Sequence, residues 1–188
     1  MRILWDFDGT LFNTYPAFTK VMKKLLPEVK EEDILKELKV SFHHAKQVFQ
    51  LTDGQVNQFR EMDSALSPDD KPPFQGLEDI LLKADINVIM THKPRAEVNA
   101  ILKHFQMEHH FADLVAGDDG YPRKPDASSY RYLHNKHELD LAIGDRVLDI
   151  LPAKELGLKT CLFQNDAPGA DFYVTNYHAL KKLLWHDI

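Results

Sequence analysis

Arg2-Ile3-Leu4-Trp5-Asp6-Phe7-Asp8-Gly9-Thr10 stands almost at the start of the chain, and its reading decides the fold. Arg2 to Phe7 is short and mostly apolar, the composition of a strand buried on both faces. Side chains alternate across a strand, so Asp6 and Asp8 are expected to project one way while Phe7 turns the other. Two carboxylates held that close repel each other unless a cation or a shared proton intervenes, and a divalent metal is the simplest resolution. Gly9 lets the backbone leave the strand sharply, and Thr10 adds a hydroxyl. Alone, Asp6 to Thr10 is equally an Asp-Gly turn after an edge strand, so the rest of the chain has to decide.

Outward from this segment, short apolar runs recur at Asn87 to Met90, Leu141 to Ile143 and Lys159 to Phe163, with weaker ones at Asp113 to Ala116 and Phe172 to Val174. Helical spacing of apolar residues separates them, at Leu77 to Lys83, Ala96 to Phe105, Ala127 to His134, Leu148 to Glu155 and Ala179 to Trp185. Alternating strands and helices predict an α/β fold, a Rossmann-like open parallel sheet with helices on both faces. Such sheets bind ligands at the carboxyl ends of their strands.

The stretch from Thr14 to Lys71 breaks the alternation with consecutive helices at Ala17 to Leu26, Glu31 to Leu38, Phe42 to Gln50 and Gln55 to Leu66. It reads as a small α-helical domain inserted after the first strand. Residues 1–13 and 72–188 are then the α/β core and residues 14–71 the insert, with Ser67-Pro68-Asp69-Asp70-Lys71-Pro72-Pro73 as the expected linker.

Composition narrows the function classes. A length of 188 residues suits one domain with a modest insertion. With 23 Lys+Arg against 29 Asp+Glu the net charge is -6, which gives no electrostatic reason to bind nucleic acid or an anionic membrane. No run approaches the roughly 18 apolar residues of a membrane span, and residues 1–20 lack the order of a signal peptide, so a cytoplasmic location is expected. The single cysteine, Cys161, sits in an apolar run and is expected to be a buried thiol. His43-His44 and His109-His110 are adjacent pairs whose side chains point roughly 100° apart on a helix, so neither clamps a metal and both are expected at the surface. Trp5, Phe42, Phe49 and Phe59 are expected core residues.

Three further motifs end expected strands. Thr91 follows Asn87 to Met90 and precedes His92-Lys93-Pro94, with Pro94 suited to a first helical position; a hydroxyl there is a phosphate contact or an ordinary helix cap. Lys124 lies downstream of Asp113 to Ala116, with Pro125 and Asp126 opening the next helix, and faces either the same sheet edge or solvent. Gly144-Asp145 follows Leu141 to Ile143, and Asp149 falls in the first turns of the helix expected after it, where the helix dipole favours negative charge. Together these would gather four carboxylates, one hydroxyl and one lysine at one edge of the sheet.

The order strand-Asp-x-Asp, strand-Thr, Lys-Pro, strand-Gly-Asp-x-x-x-Asp resembles the haloacid dehalogenase superfamily over nearly the whole chain. Members with a helical C1 cap carry it between the first and second of these motifs, where residues 14–71 fall. The resemblance implies that Asp6 is a nucleophile attacking phosphorus to form an aspartyl-phosphate, and that Asp8 protonates the leaving alkoxide and then deprotonates water. The second carboxylate favours phosphoryl chemistry, since the dehalogenases of the superfamily lack it. Mg2+ would be held by the Asp6 carboxylate, the Asp8 backbone carbonyl and the Asp145 carboxylate, with Asp149 holding a metal water or orienting its neighbours, a hard-oxygen set. Thr91 and Lys124 would hold the transferring phosphoryl oxygens, with Thr10 and His92 as further substrate contacts.

Within the superfamily the chain is similar to phosphoglycolate phosphatases and their β-phosphoglucomutase relatives, through Asn13-Thr14-Tyr15-Pro16, Thr91-His92-Lys93-Pro94, Gly117-Asp118-Asp119 and Lys124-Pro125-Asp126; it departs at His92 and Ala127. Leu38-Lys39-Val40-Ser41-Phe42-His43 is similar to a substrate-contacting cap stretch of the mutases but lacks its arginine. Lys39 and His43 are therefore candidates for the substrate's remote group, and the missing arginine counts against a sugar phosphomutase. The resemblance implies a magnesium-dependent phosphatase of a small phosphorylated metabolite, with the cap excluding water from the reaction. Alternatives are a catalytically idle domain that binds a phosphometabolite or protein partner, and the phosphomutase. Every position required for turnover is occupied, which favours the phosphatase.

Overall fold

The computed structural model describes residues 1–185. Its strands are β1 (Arg2–Trp5), β2 (Ile86–Met90), β3 (Asp113–Val115), β4 (Leu141–Gly144), β5 (Lys159–Phe163) and β6 (Phe172–Val174). Its helices are α1 (Tyr15–Leu25), α2 (Glu31–Val40), α3 (Phe42–Val48), α4 (Asp53–Ser64), α5 (Leu77–Lys83), α6 (Arg95–His104), α7 (Ser128–His137), α8 (Val147–Glu155) and α9 (Tyr177–Trp185). All strand pairings are parallel, and the order is β3-β2-β1-β4-β5-β6. Leu4 at the centre of the sheet is registered against Val88 on one side and Ala142 on the other. The chain adds β2 and β3 outward from β1, then crosses back to start β4 on its other flank, which places the switch in strand order beside β1.

Both faces of the sheet are apolar because both are covered. Ile3, Trp5, Ile89, Ile143 and Cys161 share one buried cluster with Ile80, Ile101 and Leu180 from α5, α6 and α9. Leu4, Val88, Met90 and Ala142 share another with Tyr130 and Leu133 of α7 and Ala153 of α8. The successive apolar residues of β1 thus go alternately to the two clusters. The indole of Trp5 donates to Asn87 Oδ1 at 2.9 Å, which satisfies both buried groups.

Met1–Phe12 and the chain from Pro73 onward make one compact unit, and Asn13–Pro72 makes a second. In the second unit α1 to α4 close on their own core of Met22, Ile34, Leu38, Ala45 and Phe59, with Phe42 and Phe49 packed against it. The expected linker is anchored within that unit. Lys71 is buried and its Nζ lies 2.6 Å from Asp63 Oδ1, and the Asn13 N–H donates to the Pro72 carbonyl at 2.8 Å. No described helix is long and apolar enough to cross a membrane.

Several boundaries differ from the sequence reading. β1 ends at Trp5 rather than Phe7, because the chain turns immediately afterwards. Pro94 precedes α6 as its cap residue instead of occupying the first helical position. Pro125 and Asp126 do not open α7; Asp126 Oδ1 accepts from the Ser128 N–H at 2.8 Å, a turn that delays the helix to Ser128. His110, expected at the surface, has a buried side chain 3.5 Å from Glu78.

Candidate active site

β1, β2 and β4 are neighbours, so the residues that leave their carboxyl ends, Asp6, Thr91 and Asp145, come to the same edge of the sheet. Asp6 still pairs with the sheet, its N–H donating to the Ile143 carbonyl at 2.9 Å. The N–H groups of Thr10 and Phe12 then converge on the Phe7 carbonyl at 3.4 and 3.1 Å, and Gly9 takes φ 78°, a region that side chains resist. Phe7 is buried and stacked on Phe12 with ring centroids 4.6 Å apart, which fixes the turn that carries Asp8.

Asp145 is held from behind. Asn165 Nδ2 donates to its carbonyl at 2.7 Å, the Thr10 hydroxyl lies 3.5 Å from its Oδ1, and the Tyr177 hydroxyl donates to the Thr10 carbonyl at 2.6 Å. Thr10 is completely buried, and its hydroxyl supports Asp145 from behind. Asp149 divides its two oxygens. Oδ2 accepts the Arg146 N–H at 3.0 Å, closing the first turn of α8, and Oδ1 accepts from Lys124 Nζ at 2.8 Å. Its side chain thus caps α8 and also reaches Lys124. Gly144 makes this possible, since a Cβ there would stand 2.2 Å from the Asp149 Cβ.

Lys124 reaches the cluster from the loop after β3, its side chain fully buried and its Nζ 2.6 Å from Asp6 Oδ1. Its N–H donates to His92 Nε2 at 2.9 Å. His92 is therefore an acceptor that fixes the lysine loop. Burial, followed by the charges of Lys124, Arg123 and Arg146, depresses its pKa to about 3 and keeps the ring neutral. Thr91 is buried, and its hydroxyl accepts the Lys93 N–H at 3.1 Å. Asp8 is partly exposed, and its Oδ1 lies 3.5 Å from Lys93 Nζ. Lys39 and His43 belong to the helical unit, where both are exposed; Lys39 Nζ lies 6.0 Å from the centroid of the Tyr15 ring.

Carboxylate oxygens of Asp6, Asp145 and Asp149 lie within 4.8 Å of one another, and all three residues are buried. Asp6 Oδ2 has no hydrogen-bond partner among the described residues. Three buried carboxylates share only the charges of Lys124 and Arg146, and the bare Asp6 oxygen together with an all-oxygen donor set suits a hard divalent ion. Burial and then Asp149 push the Asp6 carboxyl upward in pKa, against the pull of Lys124 and Arg146. Burial acts on Asp149 in the same sense, but Arg146 and Lys124 outweigh it and hold that carboxyl below its usual range. Lys124 stays an ammonium: burial works against its charge, and Asp149 and Asp6 more than compensate.

Sequence reasoning missed Arg146 and Lys93. Arg146 fills an unassigned position of the Gly-Asp-x-x-x-Asp spacing, and its guanidinium lies 3.3 Å from Asp149 and 3.7 Å from both Asp6 and Asp145. Lys93, inside the threonine motif, is buried between Asp8 and Glu97, 3.5 Å from each. A cation written among carboxylates was the available signal for the first; nothing in spacing pointed to the second.

A Rossmann-like sheet with acidic and basic groups converging beside its central strand defines a haloacid dehalogenase-like hydrolase. Residues 3–163 match that family, and the chain belongs to it. A phosphoglycolate phosphatase of Mannheimia succiniciproducens is 27% identical over 184 residues, covering 81% of this chain and 80% of that protein. One of Vibrio cholerae is 36% identical over 76 residues, 38% of this chain and 34% of that protein's length. A haloacid dehalogenase-like family hydrolase from Streptococcus pneumoniae shares the fold, with a TM-score of 0.78 at 18% identity over 97% of each chain. By family the chain is therefore a hydrolase, and the Mannheimia and Vibrio relatives are both named as phosphatases.

Proposed function

We propose that this chain is a phosphatase that hydrolyses a small phosphomonoester metabolite in two steps at Asp6, with magnesium as its cofactor. The observation that carries the reading is the state of Asp6: buried, gripped at Oδ1 by Lys124, and bare at Oδ2 beside Asp145 and Asp149. An Asp6 carboxylate oxygen attacks phosphorus, the bond from phosphorus to the ester oxygen breaks, and Asp8 delivers its proton to the departing alkoxide. Asp8, now a carboxylate, takes a proton from water as that water attacks the same phosphorus; the bond to Asp6 breaks, phosphate departs and both side chains are restored. Lys124 and the Thr91 hydroxyl face the charge carried on the phosphoryl oxygens, stabilisation that such transfers need more than covalent assistance. Asp6, Asp145 and Asp149, with the Asp8 carbonyl, would hold the magnesium ion, which when bound supplies charge stabilisation at the phosphoryl group.

The names of the two phosphoglycolate phosphatase relatives make phosphoglycolate the first substrate to test. Lys39 and His43 are the proposed contacts for the substrate's remote group. The decisive variant is Asp6→Asn, assayed with p-nitrophenyl phosphate and a panel of phosphorylated metabolites, with and without magnesium. The expected result is a native circular-dichroism spectrum with loss of turnover on every substrate. Retained turnover in a pure, metal-replete preparation would remove Asp6 from the nucleophile's role.

A further inference from the structure

Arg146 is a second cation at the cluster of three buried carboxylates. Its side chain is 17% exposed, and its Nη2 lies 3.3 Å from Asp149 Oδ1 and 3.7 Å from Asp6 Oδ1, while Nε lies 3.7 Å from Asp145 Oδ1. These are the three carboxylates whose ligand atoms gather within 4.8 Å. Lys124 contacts two of them, Asp6 and Asp149, while Arg146 approaches those two and Asp145 as well. A guanidinium keeps its charge at every working pH, and its planar fork suits several carboxylate oxygens at once. The group that sees all three acids is thus a permanent positive charge, carried one residue beyond Asp145 and three before Asp149.

We infer that Arg146 is a built-in counter-cation of this cluster, competing with the divalent ion for Asp6, Asp145 and Asp149 and so setting the affinity of the metal site. Two effects follow from one charge. Without metal, the guanidinium offsets repulsion among the buried carboxylates and supports the fold. With metal, the ion and the guanidinium repel at short range through a poorly screened interior, so binding is weaker than the three acids alone would give. The inference rests on the magnesium site proposed above, and it concerns how tightly that site is loaded rather than what it catalyses.

The test uses the whole protein, freed of metal by chelation and dialysed, titrated with MgCl2 by calorimetry and followed in parallel by thermal unfolding. Arg146→Gln removes the charge and keeps a polar chain, Arg146→Ser is a second neutral variant should glutamine fold poorly, and Arg146→Lys restores the charge. The expected result is at least about tenfold tighter magnesium binding in a neutral variant, and near wild-type affinity in the lysine variant. The metal-free midpoint of the neutral variant should fall below that of wild type, and the gap should close as magnesium is added, because a tighter-bound ligand stabilises more at the same free concentration L, by RT ln(1 + L/Kd). A residue that merely packed would lower the midpoint at every magnesium concentration. Unchanged or weaker magnesium binding in both neutral variants, with wild type binding normally, overturns the inference alone. Absence of magnesium binding in wild type and variants overturns it together with the metal site on which it rests.

Discussion

Protonating His92 means reversing a hydrogen bond that the Lys124 loop depends on. Its Nε2 accepts the Lys124 N–H at 2.9 Å, so a proton on that nitrogen would set two donors face to face, beside cationic Lys124. The folded ring accordingly titrates at about 3, whereas an unfolded histidine titrates near 6.5. Between those values the unfolded chain binds the proton and the folded chain does not. The stabilisation is complete above the unfolded value and is lost as pH falls through the window. The slope is about 1.4 kcal/mol per pH unit, so that by about pH 4.5 the loss reaches roughly 2.7 kcal/mol relative to neutral pH. Urea unfolding of wild type and His92→Gln, measured in steps from about pH 7.5 to 4.5, isolates the term, because the other titrating groups are common to both chains and glutamine retains an acceptor for the Lys124 N–H. The stability difference between the two proteins should shift by roughly 2.7 kcal/mol in favour of the variant across that range. A difference that stays flat over the whole range would refute His92 as a neutral acceptor. Since the ring carries no charge between about pH 5 and 8, the same substitution should leave the shape of the pH–rate profile unchanged over that interval.

Two other perturbations test the scaffold. Gly144→Ala places a methyl 2.2 Å from the Asp149 Cβ and forces α8 away from β4; a loss of about 1–3 kcal/mol in chemical denaturation is expected, together with a smaller magnesium-induced rise in melting temperature than wild type shows. Cys161 is buried in β5 with its thiol pushed up to about 12 by burial, so Ellman's reagent should label no thiol in the native protein near pH 8 and one in denaturing guanidinium.

How much of this was legible depended on whether the information was local. β2, β4 and β5 could be read because Asn87 to Met90, Leu141 to Ile143 and Lys159 to Phe163 are apolar runs bounded by polar residues. Asp6, Thr91 and Asp145 could be placed at strand ends for the same reason, and the fold delivers them to neighbouring strands. The extent of β1 was misread because Phe7 continues the apolar pattern while its backbone turns; its burial comes from stacking on Phe12, a contact that periodicity does not encode. Lys71 was read as part of a linker from its proline and aspartate neighbours, whereas its charge is buried against Asp63. Arg146 and Lys93 escaped because a cation's role depends on which anions the tertiary fold brings to it.

Asp6 and Asp149 are the same residue type in equally dry surroundings, and their surroundings separate them. Both oxygens of Asp149 are engaged, by Lys124 and by the Arg146 N–H and side chain, and the carboxyl is held low. Such a group is a firm anion and a poor nucleophile, because its electron density is already committed to donors. Among the described residues Asp6 receives only the Lys124 ammonium as a close donor, keeps Oδ2 bare, and is driven upward by burial and by Asp149 itself. Raised basicity goes with raised nucleophilicity, so the environment that makes Asp6 the costlier carboxylate to bury also makes it the more reactive one. The asymmetry begins with Gly144, which lets Asp149 come close enough to raise its neighbour while α8 and the two cations hold Asp149 itself in place. Replacing Asp149 with asparagine relieves the pressure on Asp6 but also strips Lys124 of one of its two carboxylate partners.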